Sequence, residues 1–392
     1  MIIKFDELCE KLGLSTAFEN QEQLHTIEHW CAENILTDLH YDGDTDEKYQ
    51  HYLTLIKNYL DRFYNQIPLN LLDNLAEFDH KNAIQYAALH GYDRFIAQQT
   101  SLSGALLNQN DAAGMTPLHL SAIEGHVHTV NALLAKGANP LIANPASQLP
   151  IHSALFMPAL HDETSLKNKE AIFRTLHEHA PDSLLHTDSN GDSVFHLMVI
   201  YGFTALLKEF LDKNHAGAFI KNHHSLYPIH TAILNNRVDS VTFLQTIDKV
   251  PDLTDANGQA ALHYAALYGN EELIRQCITA QKDINIRDKS DKTPLMLATE
   301  IQNLQNLQIL IRQGADTTLV DYRGYSILQY AIITENIDLI SWIVENTPID
   351  INQHDTEGTP PLHLARLLNN DVIEELLVSK GAHPNHIQHF IL

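Results

Sequence analysis

The chain of 392 residues has few cysteines and no long apolar run, and each shortage excludes a class of protein. Its three cysteines are too few and too scattered for a disulfide framework, which favours a reducing compartment. No apolar run is long enough to cross a bilayer, and Met1 is followed closely by Asp6 and Glu7, so neither membrane insertion nor a secretory signal peptide is predicted. We therefore expect a cytoplasmic protein.

Basic residues are also scarce. The chain has 25 lysines and arginines against 49 aspartates and glutamates, which gives a formal net charge of −24. Nucleic acids and anionic membranes need local clusters of Lys and Arg, and the sequence shows none, so neither is predicted as a partner. The charge favours instead a partner protein that carries a basic patch.

A short phrase recurs nine times between Asn82 and Pro360. Its clearest copies are T-P-L-H from Thr116 and T-P-L-M from Thr293. The copies start at residues 82, 116, 149, 193, 227, 260, 293, 326 and 360, and seven of the eight steps are 33 or 34 residues. Such a regular period indicates an array of repeated structural units.

The residues of each unit suit a turn followed by two short helices. Proline fits the first turn of a helix, and the Thr or Ser before it can cap that helix. Five residues before the phrase a turn begins with an acid or amide and usually reaches glycine, as from Asp321 to Gly324. Asp caps its own backbone in such a turn, and Gly supplies the positive φ. Small residues such as Ala265 and Ala266 let the two helices approach closely.

The period, the phrase and the turn before it together resemble the ankyrin-repeat family over about residues 77 to 385. The Gly-Ala link of that family also occurs here, at Gly137, Gly314 and Gly381. The resemblance implies an all-α solenoid of about nine helix-turn-helix repeats over residues 79–385, followed by a tail of residues 386–392. It also implies a non-enzymatic module that binds a protein along its concave face, without a cofactor. We expect a monomer.

The resemblance further implies that the histidine of the phrase hydrogen-bonds backbone in its own turn. We therefore interpret these histidines as structural, and not as a ladder of metal ligands, because each lies in a separate repeat. They are His119, His152, His196, His230, His263 and His363. Gln85, Met296 and Gln329 stand at the same position in the other three copies.

By resemblance, exposed variable side chains lie at the turn tips and near the end of the first helix of each repeat. Aromatic, Met and Arg side chains at such positions suit a binding surface, since Tyr and Arg dominate interface hot spots. The densest cluster begins at Tyr322. The predicted partner-binding residues are Phe156, Met157, Tyr201, His224, Leu226, Tyr268, Tyr322, Arg323 and Tyr325. For each of them the alternative is packing on a neighbouring turn.

One step is longer than the others. It measures 44 residues, and the excess falls around residues 156–170, mostly between the two helices of one repeat. Insertions in repeats become loops on one face. This segment is either a docking element or a tolerated surface loop.

Residues 1–78 lack the phrase and have helical apolar spacing, which predicts an N-terminal helical cap or a small helical domain. His25, Glu28 and His29 fit the H-x-x-E-H pattern of zinc peptidases. They are weak metal candidates, because a chain with 25 histidines matches by accident and no third ligand follows. The alternative function is an enzyme in residues 1–78 whose substrate the repeats select. No catalytic signature surrounds Cys9, Cys31 or Cys277, which we expect to be buried apolar thiols; a Cys/His pair that meets only in space is the alternative.

The sequence from His389 to Leu392 is apolar and lies downstream of Glu374 and Glu375. This arrangement resembles signals on ankyrin effectors that intracellular bacteria export by type IV secretion into the host cytoplasm. A cap on the last repeat is the alternative interpretation of the same residues.

Overall fold

The computed structural model describes residues 82–99, 102–157, 163–281 and 283–383. Within these ranges the chain forms nineteen α-helices and no β-strand, which confirms the all-α prediction. The predictions for residues 1–78, including His25, Glu28 and His29, and for the tail of residues 386–392 lie outside the described residues. The described residues fall into two compact units, one up to residue 189 and one from residue 190.

In the first unit, helix pairs stack on one another. The helices are α1 (Ala83–His90), α2 (Asp93–Gln98), α3 (Gly104–Leu107), α4 (Pro117–Glu124), α5 (Val127–Ala135), α6 (Pro150–Ser153) and α7 (Glu163–His179), with a 3-10 turn at Pro181–Leu185. The first helices α1, α4 and α6 pack in sequence, and so do the second helices α2, α5 and α7. Each repeat therefore covers the apolar face of its neighbour.

The second unit has the same construction. Its helices are α8 (Val194–Tyr201), α9 (Thr204–Lys213), α10 (Pro228–Leu234), α11 (Val238–Leu244), α12 (Ala261–Tyr268), α13 (Glu271–Ala280), α14 (Pro294–Glu300), α15 (Leu304–Arg312), α16 (Ile327–Ile333), α17 (Ile337–Asn346), α18 (Pro361–Leu367) and α19 (Asp371–Ser379), with a 3-10 turn at His215–Phe219. The first helices α8, α10, α12, α14, α16 and α18 pack in that order. The fold is the predicted ankyrin-type stack of helix pairs.

The phrase begins the first helix of each repeat, as predicted. Thr116 is the N-cap of α4, where its hydroxyl accepts from the backbone N–H of His119, and Pro117 fills the first helical position. The apolar residue of the phrase faces the core in eight repeats. These buried residues are Leu118, Ile151, Phe195, Ile229, Leu262, Leu295, Leu328 and Leu362.

The histidine of the phrase links two repeats. In His119, Nδ1 accepts from the backbone N–H of Thr116 at 3.2 Å, and Nε2 donates to the carbonyl of Gln148 in the next repeat at 2.9 Å. Because Nδ1 accepts, the neutral ring carries its proton on Nε2. His152, His196 and His263 make the same pair of bonds. The structural interpretation is confirmed for these four of the six rings.

Glutamine reproduces this link in two repeats that lack the histidine. The Gln329 Oε1 accepts from the backbone N–H of Ser326 at 3.0 Å, and its Nε2 donates to the carbonyl of Gln353 at 3.0 Å. Gln85 does the same with Asn82 and Gln109. Both glutamines therefore preserve the hydrogen bonds that the histidine makes in the other repeats.

The described part of the long step is helical. Helix α7 has 17 residues against nine in α5, so residues 163–170 lengthen the second helix of the repeat at its N-terminal end. Lys169 on this extension is buried, and its ammonium donates to the carbonyls of Ala122 at 2.8 Å and of Ile123, near the end of α4. The prediction of a loop is wrong for residues 163–170, because the extension packs against the preceding repeat.

Candidate functional site

The turn of Asp321–Tyr325 is held in place through one carboxylate. Asp321 Oδ1 accepts from the backbone N–H groups of Arg323 at 2.9 Å and Tyr325 at 2.8 Å. Asp321 Oδ2 accepts from the Tyr330 hydroxyl on α16 at 2.7 Å. Gly324 completes the turn at φ 80°, a conformation that side chains with a Cβ resist. The backbone that carries Tyr322, Arg323 and Tyr325 is thereby fixed.

Three exposed or half-buried side chains of this turn pack on one another. The guanidinium carbon of Arg323 lies 5.2 Å from the ring centroid of Tyr322 and 5.7 Å from that of Tyr325. Arg323 Nε also donates to the Tyr322 hydroxyl at 2.9 Å. Tyr322 remains 57% exposed. We call Tyr322, Arg323 and Tyr325 the Tyr-Arg cluster; cation–π contacts order its cation before any partner binds.

Neighbouring turns of the second unit are hydrogen-bonded side by side. The backbone N–H of Thr356 donates to the carbonyl of Arg323 at 2.8 Å, and that of Lys289 donates to the carbonyl of Asn257 at 2.9 Å. A Cβ on Gly324 would lie 2.9 Å from the Thr356 nitrogen, so only glycine fits without a shift. The turns therefore form a continuous platform beneath the Tyr-Arg cluster.

Three basic side chains lie on the turn that precedes the Tyr-Arg cluster. The sequence analysis did not identify these three side chains. Arg287 donates to the carbonyl of Val320 at 2.9 Å, and Lys289 donates to that of Ala256 at 2.7 Å. Lys292 pairs with Glu300, at the end of α14, at 2.7 Å. These cations tie turns and helices together, and Lys292 connects the turn side of its repeat to the end of its first helix.

The other predicted partner-binding residues differ in exposure. Phe156 is 50% exposed, Tyr268 is 61% exposed, and His224 is exposed as well. Tyr201 and Leu226 are half-buried, and desolvation raises the pKa of the Tyr201 hydroxyl.

The prediction that Met157 is a partner-binding residue is wrong, because its side chain is buried. Met157 follows Phe156 directly, and of these two neighbours only Phe156 keeps an exposed side chain. A flexible thioether readily fills gaps between packed elements. Met157 therefore leaves the candidate surface. Phe156 belongs to the first unit, whereas the remaining predicted residues belong to the second.

Exposed apolar side chains recur at the ends of the first helices in the second unit. They are Leu234, Tyr268, Ile301, Ile333 and Leu367, with exposures from 42% to 61%. We call these five residues the apolar stripe. The sequence analysis identified only Tyr268, although all five stand seven or eight residues after the start of a phrase. Applying that register to every copy would have found the others.

Nucleophilic and metal chemistry find little support in the described residues. Cys277 is buried in α13, and burial raises the pKa of its thiol to about 12, so the thiol stays protonated at neutral pH. Across residues 82–99, 102–157, 163–281 and 283–383, no group of three or more His, Cys, Asp or Glu residues could hold a metal ion. In the same part of the chain, no helix combines the length and apolarity needed to span a membrane.

Comparisons with known proteins agree with this architecture. Residues 113–145 match the family described as ankyrin repeat, and residues 245–321 and 302–388 match ankyrin repeats in three copies. The chain is 28% identical over 213 residues to the nuclear factor NF-kappa-B p105 subunit of Gallus gallus, covering 52% of this chain and 22% of that protein. It is 24% identical over 336 residues to the human transient receptor potential cation channel subfamily A member 1, covering 82% and 29%.

The chain thus spans less than a third of the length of either relative. Among solved structures, the ankyrin repeat domain of Bcl-3 matches with a TM-score of 0.45 and 23% identity, covering 50% of this chain and 88% of that domain. The matched families fall on the repeats that the phrase and the helix pairs define. The chain therefore contains ankyrin repeats.

Proposed function

We propose that this ankyrin-repeat chain binds a protein partner through the turns and first-helix ends of its second unit, with the Tyr-Arg cluster at the centre. The observation that carries the proposal is Arg323, an exposed cation held between two tyrosine rings on a fixed turn. No reaction at this surface is part of the proposal, since repeats of this family are typically non-enzymatic.

The Tyr-Arg cluster has the composition and the order of an interface hot spot. Truncation of a hot-spot Tyr or Arg costs about 2 kcal/mol or more of binding free energy. Binding also freezes mobile side chains, at about 0.5–1.5 kcal/mol each. The contacts within the cluster reduce that cost in advance. Tyr268 and His224, both exposed in the same unit, would extend the contact area.

The partner favoured by the charge of the chain is a protein with a basic patch. A net charge of −24 steers a basic surface toward the chain and repels an acidic one. We propose that a monomer of the chain makes this contact.

A capture experiment with matched variants tests the proposal. The immobilised full chain, its Tyr322→Ala/Arg323→Ala variant and an Arg312→Ala control are incubated with the same cell lysate. Arg312 is an exposed arginine on α15, outside the Tyr-Arg cluster. Proteins bound by the wild type and by Arg312→Ala should be depleted at least about tenfold on the double variant. Equal recovery on all three would remove this surface from consideration.

The cellular setting is a prediction from the sequence between His389 and Leu392. We propose that the chain acts as an effector exported into a host cell, where it occupies or recruits a host protein. A translocation reporter fused to the full chain tests this in a bacterium that has type IV secretion. Reporter activity in host cells is expected, and its absence would remove the effector role.

The alternative function, an enzyme in residues 1–78, rests on His25, Glu28 and His29, which lie outside the described residues. Metal analysis of the purified full chain separates the two functions. A stoichiometric zinc ion would favour the enzyme, and its absence would discard the zinc peptidase hypothesis.

A further inference from the structure

The apolar stripe runs across five consecutive repeats of the second unit. Ten large apolar side chains are exposed among the described residues of this unit, and five of them stand at this one register. Each lies at or just after the C-terminal end of a first helix, and these helices pack on one another in order. A row of exposed apolar side chains of this kind marks a surface that another chain covers.

The period of the apolar stripe limits the conformation of that chain. Packed helices lie about 8–10 Å apart, so successive side chains of the stripe recur at about this interval. A polyproline II chain has three residues per turn and rises about 3.1 Å per residue, which places every third side chain on one face about 9.3 Å apart. A β-strand repeats its face every second residue, about 6.6 Å apart, and does not match.

An α-helix comes close to the period of the apolar stripe, but it is too wide for it. Residues seven apart on a helix are about 10.5 Å apart, but a helix with its side chains is about 10–12 Å across. The stripe has one side chain per repeat, as for Ile301 and Ile333, and so offers a line of contact and not a broad groove. An extended segment matches both its spacing and its width.

Carboxylates beside the apolar stripe indicate the charge of the segment. Glu300 directly precedes Ile301, and Glu335 follows Ile333 by two residues. The Glu335 carboxylate accepts from the Asn370 amide at 2.9 Å, a contact that leaves its negative charge in place. Glu300 forms a salt bridge with Lys292. Arg366, which directly precedes Leu367, is likewise paired with Glu374, so Glu335 and the net charge of −24 are what favour Lys or Arg between the apolar residues of the segment.

We propose that the apolar stripe binds an extended, polyproline II segment of a partner protein, with an apolar residue at every third position and basic residues between them. This inference rests on the proposed function and names the kind of segment that the second unit recognises. Four steps along the stripe correspond to about 12 residues of such a segment.

Fluorescence anisotropy with labelled peptides tests the proposal on the full chain. The probe is a peptide of five Leu-Lys-Pro triplets. Three comparison peptides change one property each: Leu-Glu-Pro triplets reverse the charge, a scrambled Leu-Lys-Pro peptide loses the period, and an Ala/Lys helix carries Leu at every seventh position. The full chain should bind the Leu-Lys-Pro probe at least about tenfold more tightly than any of the three.

Matched variants locate the contact. Ile301→Ser/Ile333→Ser should weaken binding of the probe at least about tenfold, whereas Val378→Ser, at an exposed apolar position on α19, should not change it. Circular dichroism confirms that each variant is folded. Preference for the helical, acidic or scrambled peptide, unchanged affinity of the double variant, or no binding of the probe would overturn the inference.

The Tyr322→Ala/Arg323→Ala variant separates this inference from the proposed function. It should bind the probe as the wild type does, because the apolar stripe is intact. If it loses the probe while Ile301→Ser/Ile333→Ser retains it, the stripe inference fails and the Tyr-Arg cluster is supported as the binding surface.

Discussion

The histidine of the phrase can make its two hydrogen bonds only in its neutral form. Nδ1 of His152 accepts a backbone N–H, and protonation would turn this acceptor into a donor. Burial is the main cause that lowers the pKa of His152, to about 4, while the His186 carbonyl opposes the shift. The repeats are therefore built around side chains that resist protonation.

Acid should weaken the fold through these rings. The pKa of His152 is about 4 in the folded chain and about 6.5 when unfolded, so its contribution is complete above pH 6.5 and is lost as the pH falls toward 4. The loss amounts to about 3 kcal/mol at one pKa unit per 1.36 kcal/mol. His152→Gln should flatten the profile between pH 6.5 and 4, because Gln85 and Gln329 show that an amide makes the same bonds.

Urea unfolding at pH 7, 5.5 and 4.5 measures this prediction. Wild type should lose more stability than His152→Gln over the range. Parallel profiles for the two proteins would show that His152 does not carry the acid sensitivity.

Lys169 is expected to give a dependence of the same sign, a gain of stability with rising pH, in the alkaline range. Burial lowers the pKa of its ammonium to about 8, and Glu124 opposes the shift. Below pH 8 the charged form carries its full desolvation cost, which is relieved as the pH rises from 8 toward the unfolded value of 10.5. Wild type should therefore gain stability relative to Lys169→Met between pH 8 and 10. Unfolding of both proteins at pH 7.5, 9 and 10 tests this, and a constant difference would contradict it.

At the scale of elements, two glycines at equivalent positions of their turns differ in what packs against them. Gly324 and Gly358 stand at the same place in their turns, at φ 80° and 81°. A Cβ on Gly324 would meet the Thr356 nitrogen at 2.9 Å, whereas a Cβ on Gly358 would meet no atom of the described residues within 4 Å. The turn that contains Thr356 therefore packs on Gly324.

Alanine substitution should separate backbone strain from packing. Gly358→Ala should cost about 1–2 kcal/mol, the strain of a left-handed conformation. Gly324→Ala should cost clearly more and should also weaken partner binding, because the turn under the Tyr-Arg cluster must shift. Thermal unfolding and capture of the partner measure both effects. Equal costs would mean that the stacked turns do not constrain Gly324.

The sequence predicted those elements whose signals are local. Thr116 and Pro117 identify a helix start, and the step from Asp321 to Gly324 identifies a turn, because cap and turn act within a few residues. Lys169 could not be placed in this way, since its partners lie 46 and 47 residues earlier in the chain.

The candidate site was predictable to the same extent. Tyr322, Arg323 and Tyr325 followed from their places in the turn, but their mutual packing depends on side-chain conformation. Met157 was assigned to the surface by register alone, and its burial depends on what lies around it. Ile301 was missed for a simpler reason, because its register was not followed through every repeat.

For the whole molecule, charge is the property that should dominate association. Raising NaCl from 50 to 500 mM should weaken binding of the Leu-Lys-Pro probe at least about tenfold, because salt screens exposed charges. Glu300→Gln/Glu335→Gln should reduce this salt dependence, whereas Glu271→Gln/Glu272→Gln on α13 should leave it unchanged. An equal effect of both double variants would assign the attraction to the overall charge and not to the carboxylates beside the apolar stripe.

The position at which a partner contacts this chain tests the proposed binding surface most directly. A photoreactive amino acid is placed at position 322, in the Tyr-Arg cluster, or at position 312, on α15, and the full chain is irradiated with the source of the partner. We predict a discrete protein adduct from position 322 and none of that mass from position 312. The same adducts from both positions, or none from position 322 while the partner is still captured, would contradict binding through the Tyr-Arg cluster.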